Sequence, residues 1–197
     1  MNKKLFALLI LFCSLVTFFS CGNDDDNTGI DEEWKTYNEQ QIKDIDPEYN
    51  IDSEYEKRNS ISKNGSVYWK DIRADKFFEG DNIPEVDLNS APPIFTDSVV
   101  IRYEGSYLNY DGTQQIFDST EGENNRITRG ARVNSFVDGF TTMLQYMRVG
   151  DQVDVYMPYQ LGYKESPKYD SYGRIIIPAY TTLRFKICLL EIIRDEK

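Results

Sequence analysis

Alternation of period two is the pattern that most restricts what this chain can fold into. From Ser98 to Leu108, Val99, Ile101 and Tyr103 alternate with Val100, Arg102 and Glu104, and near the C-terminus Leu183, Phe185, Ile187 and Leu189 repeat the same step. Successive side chains of a strand point to opposite faces, so such runs describe a sheet with one face in a core. Val153, Val155 and Met157, alternating with Gln152, Asp154 and Tyr156, add another strand, and so does Val67-Tyr68-Trp69 after Asn64-Gly65. Asp111-Gly112 is a turn signal between the strand ending near Tyr107 and a further one at Gln115-Ile116-Phe117. One helical stripe stands among these strands: Phe140, Met143, Leu144 and Met147, spaced i, i+3, i+4, i+7 and stopped at Gly150. Pro84, Pro92 and Pro93 mark the connection before Ser98 as a loop without regular structure. The order of elements predicts an α+β domain, an antiparallel sheet packed on one short helix.

At 197 residues the chain has room for that domain and an arm. Residues 1–20 read as a signal segment: Lys3 and Lys4, an uncharged and mostly apolar run from Leu5 to Phe19, then Ser20-Cys21-Gly22. The apolar run is shorter than the roughly 18 residues a spanning helix needs. Residues 21–63 form an acidic tether poor in Val and Leu, in which Trp34, Tyr37, Ile42 and Ile45 lie on a rough helical face entered at Asp31 and stopped by Asp46-Pro47. A lone short helix is marginal in water, so this stripe is expected to rest on the main domain. The domain itself is placed at 64–193, with a polar tail at 194–197.

Several chemistries are closed to the chain. It has no histidine, so neither a Ser-His-Asp or Cys-His nucleophile nor a histidine-ligated zinc site can be assembled. No phosphate-cradling glycine loop follows a strand, and no metal or cofactor is expected. Asp24, Asp26, Thr28 and Gly29 imitate the opening of a calcium loop, but Lys35 stands where a bidentate glutamate is required. With 33 acidic and 22 basic side chains the formal charge is −11, and no basic tract interleaved with aromatics is present, which disfavours nucleic acid. If the signal leaves with Lys3 and Lys4, 20 basic and 33 acidic side chains remain, a charge of −13 that an anionic bilayer does not attract. The cysteines are Cys13, Cys21 and Cys188. Cys188, in an apolar stretch, reads as a buried thiol. Tyr103, Phe117, Phe140, Tyr163 and Phe185 sit near strand ends and loops, and on residue type alone they read as core.

Their motifs, taken in order, change that reading. Val100-Ile101-Arg102-Tyr103-Glu104-Gly105, Asp111-Gly112-Thr113, Phe117-Asp118-Ser119-Thr120 and Phe136-Val137-Asp138-Gly139-Phe140 come first. Met147-Arg148-Val149-Gly150-Asp151, Met157-Pro158-Tyr159-Gln160-Leu161-Gly162-Tyr163 and Ile177-Pro178-Ala179-Tyr180-Thr181-Thr182-Leu183-Arg184-Phe185 follow. Together this order and spacing resemble the FKBP-type peptidyl-prolyl isomerase domain. The resemblance implies an antiparallel half-barrel sheet wrapped around one short helix, with a substrate proline held between them. It implies catalytic roles for Tyr103, Phe117, Asp118, Tyr163 and Phe185, and substrate-binding roles for Ile127, Phe136, Val137, Phe140 and Ile177. Phe140 stands where the family usually has tryptophan, Lys164 replaces a usual glycine, and the segment from Glu165 to Ile176 is longer than typical. Phe18-Phe19-Ser20-Cys21 resembles a bacterial lipobox, which implies a lipid anchor on Cys21. Asp24-Asp25-Asp26 resembles an acidic sorting tag and equally reads as a solvated spacer. The implied protein is an exported monomer anchored to a bacterial membrane, the outer one, on either its periplasmic or its surface face. Its implied partners are that membrane and proline-containing segments of other exported proteins.

Overall fold

The computed structural model describes residues 31–80, 82–121 and 128–194. The signal segment 1–20, the anchor Cys21, the wall residue Ile127 and the tail beyond Arg194 lie outside the described residues. The first element is α1, Glu32–Ile45, capped by the Asp31 carboxylate, which accepts from the Trp34 N–H at 2.8 Å. It ends where Pro47 forces Asp46 into extended backbone. The strands are β1 Glu56–Asn59, β2 Ser66–Asp71, β3 Ser98–Leu108, β4 Gln114–Ser119, β5 Thr128–Arg132, β6 Gln152–Met157, β7 Lys168–Tyr169, β8 Ile175–Ile177 and β9 Leu183–Ile193. A second helix, α2, spans Asp138–Leu144.

All pairings are antiparallel, in the order β1-β2-β6-β9-β3-β4. The edge of β3 away from β9 is shared, β5 taking Ser98 to Ile101 and β4 taking Glu104 to Leu108. The hairpin β7-β8 stands apart from this sheet. The α2 helix packs on the sheet with Phe140, Met143 and Leu144 buried against Val155, Met157, Leu183, Phe185 and Ile187. Gly139 lets it sit that close, since a Cβ there would meet Met157 Cβ at 2.7 Å. The opposite face carries a smaller cluster, Ile72, Phe78 and Cys188, under the loop that precedes β3. Burial raises the Cys188 thiol to about 12, so it is an inert packing residue.

Several expectations are corrected. The sheet begins before residue 64, because β1 pairs with β2 around the Asn64-Gly65 turn and so belongs to the sheet. The helical stripe outruns its helix: α2 stops at Leu144, and Met147 reaches the core from the turns that follow. Every residue of β6 is buried, not one face alone. Asp154 and Tyr156 are covered on the far side by Tyr55 and Arg184, whose guanidinium meets both Asp154 oxygens at 2.8 and 2.7 Å.

α1 lies against the domain through Trp34 and through Asn38, a fully buried polar residue on the same face as the apolar stripe. At its end Asp46, 3 % exposed, accepts from Lys57 Nζ at 2.9 Å, Tyr68 OH at 2.8 Å and the Glu48 N–H at 2.9 Å. Burial works to raise the Asp46 pKa, but these hydrogen bonds together hold it below the usual carboxylate value. A lowered folded-state pKa contributes stability above the unfolded-state value and loses it as pH falls through the folded value. Asp46→Ala strands three donors and is expected to cost about 1–3 kcal/mol in urea unfolding at neutral pH. The gap from wild type should narrow below about pH 4. A gap that stays constant down to about pH 2 would contradict this account of Asp46.

Candidate active site

Two aromatic residues with almost no exposure, Phe140 of α2 and Phe185 of β9, form the floor of a cleft of about 170 Å³. Their rings meet edge to face, centroids 5.0 Å apart at 87°. Tyr103 of β3 stands edge-on to Phe140 at 5.9 Å, Phe117 of β4 edge-on to Phe185 at 5.6 Å, and Phe136 stacks on Phe140 at 4.6 Å. Asp118, Ser135, Val137 and Tyr163 complete the lining. An apolar cavity of roughly 150 Å³ holds a benzene molecule, so this space suits one small ring and the amide beside it.

The alternation of β3 brings Tyr103 to the α2 side while Arg102 goes to the other face. There the Arg102 guanidinium pairs with Glu121 and donates to Glu79 O at 2.8 Å. The Tyr103 hydroxyl donates to Asp118 Oδ2 at 2.6 Å, and the Tyr103 N–H donates to Thr120 Oγ1 at 2.8 Å, which fixes the crossing of β3 and β4. Burial, and then the Asp118 charge, push the Tyr163 hydroxyl above its ordinary value, so it stays a protonated donor. Lys168 Nζ lies 4.6 Å from the centre of the Tyr163 ring and holds that wall from behind. Val137 caps α2 from extended backbone, and its N–H has no hydrogen-bond acceptor among the described residues.

Eight of the ten residues named from the sequence therefore line one cleft: Tyr103, Phe117, Asp118, Phe136, Val137, Phe140, Tyr163 and Phe185. Ile177 does not. It is 2 % exposed and packed in the core, because β8 turns it inward while Ile175 faces solvent. Ile127 lies outside the described residues. Ser135 and Gly105 were missed. Gly105 faces Phe185 across β9 and Asp118 across β4. A Cβ there would lie 2.5 Å from the Phe185 ring and 2.8 Å from the Phe117 ring. An isolated glycine inside an alternating strand is the signal that could have pointed to it.

A sequence model of the FKBP-type peptidyl-prolyl cis-trans isomerase matches residues 91–190, half of the chain. The chain belongs to this family. A macrophage infectivity potentiator from Trypanosoma cruzi is 33% identical over 100 residues, a match spanning 51% of this chain and 45% of that relative. The chain thus matches less than half of the relative's length. Among solved structures, a peptidyl-prolyl cis-trans isomerase from Pseudomonas syringae pv. tomato superimposes with a TM-score of 0.55 at 18% identity, over 83% of this chain and 96% of that one. FkpA from Escherichia coli gives a TM-score of 0.56 at 20% identity, over 82% of this chain and 62% of that one. These two likenesses show that the fold is the FKBP fold.

As an FKBP-type domain the chain departs from the common pattern at Lys164, and the backbone says what the departure means. Lys164 has φ 59°, a left-handed conformation that favours glycine. It is held there by its N–H to Tyr159 O at 2.9 Å and its carbonyl from the Tyr180 N–H at 2.8 Å. The long segment after it carries β7 and β8, with Tyr172 at its exposed tip. The sharper test of the cleft is Gly105→Ala, which forces Phe117 and Phe185 apart. It is expected to cost about 1–3 kcal/mol of stability by overpacking and to lower affinity for proline peptides in titration calorimetry. Unchanged affinity in Gly105→Ala would show that the two rings need no such contact.

Proposed function

We propose that this protein is a peptidyl-prolyl cis-trans isomerase acting on X-Pro bonds of exported proteins. The observation that carries the reading is a cleft with a floor of two buried aromatic rings, lined also by a few polar groups: Asp118 with the Tyr103 hydroxyl, Ser135, the Tyr163 hydroxyl and the Val137 N–H. Rotation about the prolyl amide meets a barrier of about 18–20 kcal/mol from C–N resonance. No bond is made or broken to the protein, so the missing histidine is no obstacle. The planar amide is dipolar and the twisted one less so. A dry aromatic pocket disfavours the first relative to the second, and a shape that fits the twisted form adds differential binding. Phe117, Phe140 and Phe185 desolvate the ring, Asp118 and Tyr163 orient the flanking groups, and the Val137 N–H anchors the chain. Each 1.4 kcal/mol of such preference gives about a tenfold acceleration.

A peptide-binding or chaperone module with little turnover is the second reading. Phe140 motivates it, since a phenyl floor offers less area than an indole and no N–H donor. A protease-coupled assay on an Ala-Leu-Pro-Phe peptide separates the two. Turnover above the uncatalysed rate, lowered at least about tenfold in folded Phe185→Ala and less in Tyr163→Phe, is expected for the enzyme. Binding without turnover selects the second reading. Because the Tyr163 pKa is raised above the ordinary value of about 10, its donor form persists through that value, and kcat/KM should stay flat from about pH 7 to about pH 10. A fall within that range would remove Tyr163 as a neutral donor.

The same proposal places the protein outside the cytoplasm, as a monomer tethered through lipidated Cys21 to the outer membrane of a bacterium. The support is the charge, apolar run and Ser20-Cys21 junction of the first residues. Palmitate labelling in a lipoprotein-processing host should mark the wild type and be lost in Cys21→Ala. Label retained in that variant would refute the anchor.

A further inference from the structure

The match to the family covers residues 91–190, yet α1, at residues 32–45, touches elements that carry both walls of the cleft. On one side it meets the β3–β4 hairpin. Tyr37 OH donates to Asn109 O at 2.6 Å, and the Trp34 ring stands edge-on to Tyr107 at 6.0 Å. Tyr107 in turn stacks on Phe117, centroids 6.5 Å apart at 20°, and Phe117 meets Phe185. A chain of ring contacts therefore runs from α1 to the cleft floor. On the other side, Trp34 Nε1 donates to Thr181 Oγ1 at 3.1 Å. The buried Asn38 accepts from the Thr182 N–H at 2.7 Å on its side-chain oxygen and from Thr182 Oγ1 at 2.9 Å on its carbonyl. Thr182 leads directly into β9, where Phe185 lies.

These contacts fall where the sheet lacks other support. β4 ends the strand order and is held by β3 alone, so within the sheet only β3 fixes Phe117 and Asp118 against Phe185. The Trp34–Tyr107–Phe117 contacts brace that single link from outside. We propose that α1 is part of the frame of the prolyl cleft, with Trp34 and Asn38 as positioning residues. Trp34 acts on the β4 wall through Tyr107 and Phe117. Asn38 acts on the Phe185 side through Thr182. The proposal rests on the reading of the cleft as the prolyl site. By linkage, a peptide that orders the cleft must also stabilise the docked α1.

The test uses the full chain with Trp34→Ala, Trp34→Phe and Asn38→Ala, and Ile51→Ser, 94% exposed, as control. Each is assayed with the Ala-Leu-Pro-Phe peptide well below its unfolding temperature, with fluorinated phenylalanine reporting Phe117 and Phe185 by 19F NMR. Misplacing catalytic groups by about 1 Å can cost about 100-fold, so roughly a tenfold loss in Trp34→Ala is expected, mainly in kcat. Trp34→Phe should recover most of it, and the Phe117 and Phe185 signals should shift in Trp34→Ala and Asn38→Ala. Folded variants with wild-type kcat/KM and unshifted fluorines would overturn the proposal and leave α1 a stabilising strap. If Trp34→Ala does not fold, the kcat and fluorine shifts of Asn38→Ala decide the matter. A wild type without turnover sinks the prolyl reading instead, and the same fluorine shifts still decide whether α1 acts on the cleft.

Discussion

The pairing of β3 with β9 sets the spacing on which the cleft depends, because it puts Gly105 opposite Phe185 and leaves no side chain between strand and ring. The same glycine lies across from Asp118 on β4, beside a register shift between Gly105 and Ser106. Phe185 can therefore lean over the strand toward Phe117 while Tyr103, two residues before the glycine, stays on the same face and reaches Asp118. A dry floor and a charged rim thus come from one stretch of paired backbone, without a loop having to order itself around a ligand.

Alternation also segregates charge from that floor. Arg102 precedes Tyr103 and Arg184 precedes Phe185, and each arginine goes to the face away from α2 as its neighbour enters the cleft. Both cations are closed off there, Arg102 by Glu121 and Arg184 by Asp154, a carboxylate that also accepts from the Tyr55 hydroxyl. Under the proposed mechanism, a free guanidinium near the floor would solvate the dipolar planar amide and work against the twisted one. Pairing each arginine on the far side removes that opposition and satisfies groups that burial would otherwise penalise.

The long elements were legible because their apolar side chains keep a regular period, even where, as from Val99 to Arg102 in β3, both faces are buried. β3 runs over Ser98–Leu108 as its alternation indicates, and α1 stops at the Asp46-Pro47 junction. What escaped had no apolar period to show. β1 is Glu-Lys-Arg-Asn, an edge strand recruited by the turn after it, and β5 owes its place to pairing with β3. Asn38 looks like a solvent residue until Thr182 arrives from far along the chain to use both of its oxygens. In the cleft, ring composition could not separate lining from core, since Phe140 and Phe185 are both. Only the order of motifs did so, and it misplaced Ile177, whose side depends on a short hairpin that three consecutive isoleucines do not orient.

Prolyl isomerisation, the proposed reaction, moves no proton and so asks little of pKa values and much of distances. Its site can do without histidine and can accept a smaller ring at Phe140, because both changes leave a closed apolar floor. It is less tolerant of anything that alters the separation of Phe117, Phe185 and Tyr163. Those three belong to different elements: an edge strand, a central strand and a loop that passes through a left-handed residue at Lys164. Edge strands and loops are the parts of a fold that open most readily. Contacts from outside the cleft reach all three, with Trp34 and Tyr107 next to Phe117, Lys168 against the Tyr163 ring, and Asn38 at the entry to β9. If α1 frames the cleft as proposed, these few residues keep three aromatic walls at fixed separations.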